Sequence, residues 1–275
     1  MAITAKEVNE LRKKTGAGMM DCKKALVEAD GDMSVAVDLL RKQGQKIAAK
    51  RGDRDATEGL VVAKTAGNGA KGVVICLNCE TDFVAKNEDF VNFANEIADL
   101  AVNNEVNSLD ALKSLNFGDL TLSEKIIEQT GVIGEKIDVS GLEVVEASSV
   151  VAYNHPGNQI ATIVGFNQVV DADETGRQVA MQVAAMSPIA VDSDSVSEDV
   201  IAKEIEIGKE LAIQEGKPEE MAEKIAKGRL NKFFKENTLL NQAFVRDNKL
   251  SVKQFLQETD KELTVTDFKR ISLSI

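Results

Sequence analysis

Cys76-Leu77-Asn78-Cys79 has the spacing of a redox or metal-binding pair, and the chain's one imidazole is His155. Neither is expected to do chemistry. The stretch from Gly72 to Asn78 reads G-V-V-I-C-L-N, a strand pattern, and residues three apart on a strand point to opposite faces. A structural zinc site wants about four clustered ligands. Cys22, Cys76 and Cys79 are therefore read as buried small hydrophobes, and an odd number of cysteines fits a reducing compartment. His155 precedes Pro156-Gly157 and is expected on the surface of a hairpin turn. Gly16-Ala17-Gly18 suggests a phosphate loop, because glycine lets backbone N–H groups approach an anion at a helix start. No Lys-Ser/Thr follows it, no strand precedes it, and the third glycine of a dinucleotide fingerprint falls on Asp21. Without a Ser-His-Asp set or clustered metal ligands, no catalytic residue, cofactor or resident metal is expected, and the chain is not read as an enzyme.

One stretch stands apart. Thr81-Asp82-Phe83-Val84 lies between the apolar strand ending near Asn78 and a helix that Asn87 or Asp89 can cap. A chain with ten phenylalanines places one here, outside either apolar pattern. Phe83 or Val84 either folds back as a staple beneath its own helix or stands out as an aromatic anchor for a partner's pocket. Met19-Met20 poses a similar question, since adjacent helical residues point in different directions and exposed methionine suits an adaptable protein-binding surface.

These residues sit in an acidic chain of 275 residues, 43% apolar and 28% charged, with net charge −12. That length and composition describe a soluble globular protein of two or three domains. Residues 1–54 hold 12 basic against 8 acidic side chains, and residues 55–275 hold 21 against 37. An acidic body lacks the counterion release that drives phosphate-backbone binding. A helix-turn-helix built from the basic N-terminal piece remains the competing reading, and it requires duplex DNA binding with a steep salt dependence that is lost on deleting residues 1–54. No apolar run approaches the ~20 residues that span a bilayer, and no signal region opens the chain, so a cytoplasmic location without membrane contact is the default.

The elements follow from apolar period. Thr4 is placed to cap a first helix, a second runs from about Met19 to Ala29, and a third carries Val35, Val37, Leu39 and Leu40 to Gly44. Together they make a small bundle resembling the ubiquitin-associated type, with the charged segment Ala48–Arg54 read as a linker. The middle contains a weak internal repeat. A shift of 89 places Val62-Ala63 on Val151-Ala152, Val74-Ile75 on Ile163-Val164 and Leu77 on Phe166; a shift of 86 places Phe93-Ala94 on Val179-Ala180 and Ile97-Ala98 on Val183-Ala184. Both copies read as strand, glycine-containing turn, strand, helix. The connection between strand and helix is 14 residues in the first copy (79–92) and 11 in the second (168–178), and only the longer contains T-D-F-V. Because the second copy manages without an aromatic there, the anchor reading of Phe83 is favoured over the staple.

Helices are expected around Leu109–Leu115 and Ser123–Thr130, with strand residues at Ile137–Val139 and Leu142–Val145. After Pro188, Ile201, Ile205 and Ala212, with Leu211 alongside, give one helical stripe, and Met221, Ile225, Leu230, Phe233 and Phe234 a second, broken by Gly216-Lys217-Pro218. A strand over Leu263–Ile275 closes the chain. The expected fold is α+β: a three-helix module with linker (1–54), two related antiparallel sheet-plus-helix subdomains (55–146, and 147–189 with 231–275), and an inserted helical hairpin (190–230).

Three stretches, L-R-K-K-T-G-A-G-M-M-D-C-K-K-A-L (Leu11–Leu26), N-C-E-T-D-F-V-A-K-N (Asn78–Asn87) and G-K-P-x-x-x-A-E-K-I-x-x-G-R-L-x-K-F (Gly216–Phe233), together resemble bacterial elongation factor Ts. The resemblance spans almost the whole chain. It implies a guanine-nucleotide exchange factor whose partner is elongation factor Tu, bound to GDP or nucleotide-free. The N-terminal module, with Leu11, Met19 and Met20 as candidate contact residues, would bind the partner's GTPase domain. Thr81, Asp82, Phe83 and Val84 would push beside the partner's bound magnesium, with Phe83 wedged between its helices. The second subdomain would meet a β-barrel domain of the partner, and the hairpin would serve dimerisation or further contact. The chain stops at Ile275, so contacts made in some members by a further C-terminal helical module are not expected.

Overall fold

The computed structural model describes residues 3–273 and shows an α+β fold in two compact units, 3–62 with 75–142 and 273, and 63–74 with 143–272. The chain opens with α1 (Ala5–Thr15), α2 (Met19–Glu28) and α3 (Met33–Arg51). Thr4 and Glu7 form a reciprocal capping box at the start of α1, and Asp32 caps α3 through the N–H groups of Ser34 and Val35. Val8, Leu11, Cys22, Ala25, Leu26 and Ala36 fill the space between the three helices.

Helix α3 does not stop at Gly44 but continues through the segment read as a linker to Arg51. Its continuation has a tertiary cause. A Cβ on Gly131 would lie 2.5 Å from the Cα of Gly44, so α3 meets the helix that carries Gly131 backbone to backbone. The face buried there is made of glycine, so apolar periodicity could not report it.

Next come β1 (Glu58–Thr65), β2 (Lys71–Cys79), the single helical turn α4 (Asp82–Ala85), α5 (Glu88–Asn103) and α6 (Leu109–Ser114). Asn87 caps α5, which buries Phe90, Phe93, Ala94, Ile97, Ala98, Ala101 and Val102 along one face. A two-residue pair, β3 (Asn116–Phe117) with β4 (Leu120–Thr121), leads into α7 (Leu122–Ile133), which ends at Gly134 with φ 80°. Strand β5 (Asp138–Glu146) then completes a sheet of order β1-β2-β5. Ser140 donates to Asn78 at 2.5 Å and Ala147 N–H to the Ala70 carbonyl at 3.0 Å, which fixes β5 antiparallel to β2. The two strand segments expected around Gly141 are thus one strand.

The second copy repeats this plan with β6 (Ser149–Asn154), β7 (Ile160–Phe166) and α8 (Arg177–Met186). Its strand-to-helix connection winds into a π turn over Ala172–Gly176 that runs directly into α8. Two long helices follow, α9 (Glu198–Gln214) and α10 (Glu219–Asn237), packed against each other as a hairpin. Its seam buries Ala212 as expected, together with Gly208, Ala222 and Ala226, which the stripes did not include, while Met221 faces outward, as does Leu211 beside the first stripe. Small residues let the two backbones approach, and the larger apolar side chains are left outside. Where the hairpin returns, Asn237 and Thr238 meet Ile189 and Ala190 through a hydrogen bond and an isolated β-bridge.

The chain finishes with β8 (Ala243–Phe244), β9 (Asp247–Ser251), α11 (Val252–Thr259) and β10 (Val265–Ser272), the last pairing antiparallel with β7 to give the order β10-β7-β6. The final residues of the expected strand, 274 and 275, lie outside the described residues. Val151, Val164, Phe166, Val179, Val183, Leu239, Leu256 and Leu263 form the core of this unit. Gln182 is wholly buried there and fully engaged, donating to Gln242 Oε1 and the Ala243 carbonyl at 3.1 Å and accepting from Val245 N–H at 2.8 Å.

Candidate functional site

Strand β2 ends at Cys79, and the chain turns immediately into α4, a helix of four residues that local propensity cannot sustain alone. What holds it is an exchange of carboxylates between two distant segments. Glu135 Oε2 accepts the backbone N–H groups of Glu80 (3.1 Å) and Thr81 (3.0 Å), and its Oε1 accepts the Thr81 hydroxyl at 2.7 Å. In return Glu80 Oε1 accepts the Lys136 N–H at 2.6 Å, and Arg51 donates to both Glu80 oxygens at 2.8 and 2.9 Å. Lys136 Nζ reaches back to the carbonyls of Gly52 and Arg54 at 2.8 and 2.9 Å. Bonds to ionised groups are the strong class of hydrogen bond. The Lys136 N–H, and after it the Arg51 guanidinium, hold the Glu80 carboxyl below the ordinary carboxylate range.

On this base the four predicted residues take different roles. Thr81 is the anchored one. Asp82 is half-exposed and pairs with Lys86 one turn later at 2.6 Å, which keeps its carboxyl ionised to lower pH than usual. Phe83 is 82% exposed, so the staple reading fails for this residue and the ring stands in solvent. Val84 points into a groove of about 580 Å³, lined also by Gly16, Phe90, Val132 and Ile133. Gly16 immediately precedes the turn into α2, where Met19 and Met20 are 53% and 64% exposed. Leu11 must be reassigned. It is completely buried between the three N-terminal helices, so it builds the module and offers no side chain to a partner.

The thiols nearby are unsuited to nucleophilic chemistry. Burial, and then the negative charge of Glu135, push Cys79 up to about 12, and its Sγ donates to the Thr81 carbonyl at 3.1 Å. Burial raises Cys76 and Cys22 as well. Among the described residues, no three His, Cys, Asp or Glu side chains gather to hold a metal, and no helix is long and apolar enough to cross a membrane.

A family model described as "Elongation factor TS" matches residues 80–274, starting at the glutamate that braces the Phe83 turn. Curated relatives extend the match over nearly the whole chain. "Elongation factor Ts" of Christiangramia forsetii is 51% identical over 272 residues, covering 98% of each chain, and that of Flavobacterium psychrophilum is 52% identical with the same coverage. "Elongation factor Ts" of Amoebophilus asiaticus is 51% identical over 273 residues, covering 98% of this chain and 99% of its own. The chain belongs to the elongation factor Ts family.

As a member of that family it is a translation elongation factor. The T-D-F-V turn is carried by the first of its two related sheet-plus-helix subdomains. Sequence reasoning found this elongation factor Ts turn through its stray aromatic but missed Glu135, Glu80, Arg51 and Lys136. Arg51 was hidden in a segment read as a linker. Glu135 lies 54 residues from Thr81, and a lone glutamate after a helix-ending glycine carries no periodic signal.

Proposed function

We propose that this protein is a guanine-nucleotide exchange factor for elongation factor Tu and acts without covalent or proton-transfer chemistry of its own. A GTPase holds GDP through its phosphate loop and magnesium, and those contacts must open together before the nucleotide leaves. A factor that prefers the nucleotide-free partner lowers the cost of opening, and by linkage nucleotide binding weakens the factor in return. The observation that carries this reading is the exposed ring of Phe83 on a short turn held by partly buried hydrogen bonds to Glu135. Burying a phenylalanine side chain contributes about 1.5–3 kcal/mol, an energy available only once the partner has opened a place for it.

In this proposal Phe83 enters between helices of the partner, and the ionised Asp82, released from Lys86 or moving with it, perturbs the partner's magnesium or its ligands. Val84 and the groove beside it seat a partner segment, and the exposed Met19 and Met20 contact the GTPase domain. The family membership and the raised thiol of Cys79 both support a binding mechanism. The hairpin, whose exposed Leu211, Ile213 and Met221 flank the tip, is assigned to self-association.

Stopped-flow release of a fluorescent GDP from elongation factor Tu tests the main reading. The protein at catalytic concentration accelerates release, and Phe83→Ala slows the accelerated rate about 10–160-fold, as expected for the loss of about 1.5–3 kcal/mol, while its circular dichroism and Tm stay unchanged. Release at the spontaneous rate with the unmodified protein would refute the proposal.

A further inference from the structure

Thr81 occupies the N-cap of α4 with extended backbone, yet its side chain makes no cap hydrogen bond. At an N-cap, a threonine hydroxyl ordinarily accepts from an N–H two or three residues on. Here it donates instead, to Glu135 Oε1 at 2.7 Å, while Glu135 Oε2 takes the N–H groups of Thr81 and Glu80. The residue at the cap position is held by a tertiary bond and makes no local one. Glu135 is placed for this by Gly134, whose φ of 80° ends α7 with its N–H on the Thr130 carbonyl and redirects the chain.

From this geometry we infer that Glu135 is the positioning residue of the exchange turn: it fixes the direction in which Phe83 leaves the surface. The inference rests on the exchange reading given above. Phe83 is almost fully solvated and no core packing orients it, so its orientation is that of its backbone. The α4 backbone has four residues and no side-chain cap of its own; its turn bonds and the Cys79 Sγ bond to the Thr81 carbonyl close it, while the Glu135 carboxylate and the reciprocal Glu80–Lys136 bond tie its start to the distant segment after α7. A ring held in its docking orientation enters a partner without first losing the freedom of a mobile loop. Without Glu135 the ring is still present and still apolar, but it is presented in many directions.

The test uses the full-length chain with fluorescent GDP on elongation factor Tu, recording release across factor concentration. The variants are Glu135→Ala, Glu135→Gln and Thr81→Val, each alone and combined with Phe83→Ala, with hydrogen exchange at the amides of residues 80 and 81. Glu135→Ala is expected to slow maximal release about tenfold, with faster exchange at those two amides. Glu135→Gln, which keeps one acceptor oxygen, recovers part of the rate, and Thr81→Val falls between. In the Phe83→Ala background none of the three slows release further, because the residue acts through the ring. Thr81→Val removes a single hydroxyl and keeps the test valid should Glu135→Ala fail to fold. Equal losses with and without Phe83 would overturn the inference, as would wild-type rates in Glu135→Ala despite exposed amides. If Phe83→Ala alone matches wild type, the exchange reading falls and takes this inference with it. If Phe83→Ala is slow and Glu135→Ala and Thr81→Val are not, the inference alone falls.

Discussion

An aromatic ring in water is costly unless something gains from its being there, and at Phe83 the surrounding residues are arranged to keep it out. The sequence made this residue conspicuous because neither the strand nor the helix period claims it. It could not reveal the clasp beneath, since Glu80 and Glu135 are ordinary acidic residues until the fold brings the segments together. The clasp has an acid signature. Glu80 is held below the carboxylate range in the folded state, so its contribution to stability is complete above the unfolded value of about 4.3 and is lost as pH falls through the depressed folded value. Urea denaturation should show wild type more stable than Glu80→Gln at pH 7, with the gap narrowing steadily below about pH 4. The exposed Asp82–Lys86 pair should behave differently: Lys86→Ala should leave the urea midpoint at pH 7 nearly unchanged, because solvent screens such pairs.

Helices with an apolar face were readable from their period: α1, α2, α5 and α7 lie where the sequence places them, within a few residues. Contacts made through glycine or alanine were not, even where, as in the α9–α10 hairpin, the helices themselves were. The α3 extension and the α9–α10 seam use residues with little hydrophobic signal, and their packing is recognised only by how closely the backbones approach. The contact between α3 and α7 accordingly tolerates no side chain. Gly131→Ala forces a methyl onto the Gly44 backbone and should cost about 1–3 kcal/mol by overpacking, seen as a lower Tm with an unchanged far-UV spectrum at 25 °C. Should Tm stay put, α3 and α7 are freer to separate than their backbone contact implies. The short β8–β9 pair and α11 went unread because they lie where no repeat or long apolar period marks them.

The whole molecule is one plan used twice. In each copy the second hairpin strand is the central strand of a three-stranded sheet, and the third strand arrives after helices: α5 to α7 in the first copy, and α8 through α11 in the second. The repeat was visible in the sequence because its strands and helices keep matching apolar positions, whereas the third strands, separated by insertions of unequal length, show no common shift. The hairpin is part of this inequality. Replacing Leu211, Ile213 and Met221 together by serine should abolish self-association in sedimentation equilibrium without lowering Tm by more than a few degrees, since all three lie outside the seam. A wild-type chain that sediments as a monomer at every concentration would refute that assignment. The separation of Thr81 from Glu135 also sets a schedule. With ~5–20 residues added per second during synthesis, the 54 residues between them take roughly 3–11 s to make. Until then the growing chain carries Phe83 without the carboxylate that ties its turn to the rest of the fold.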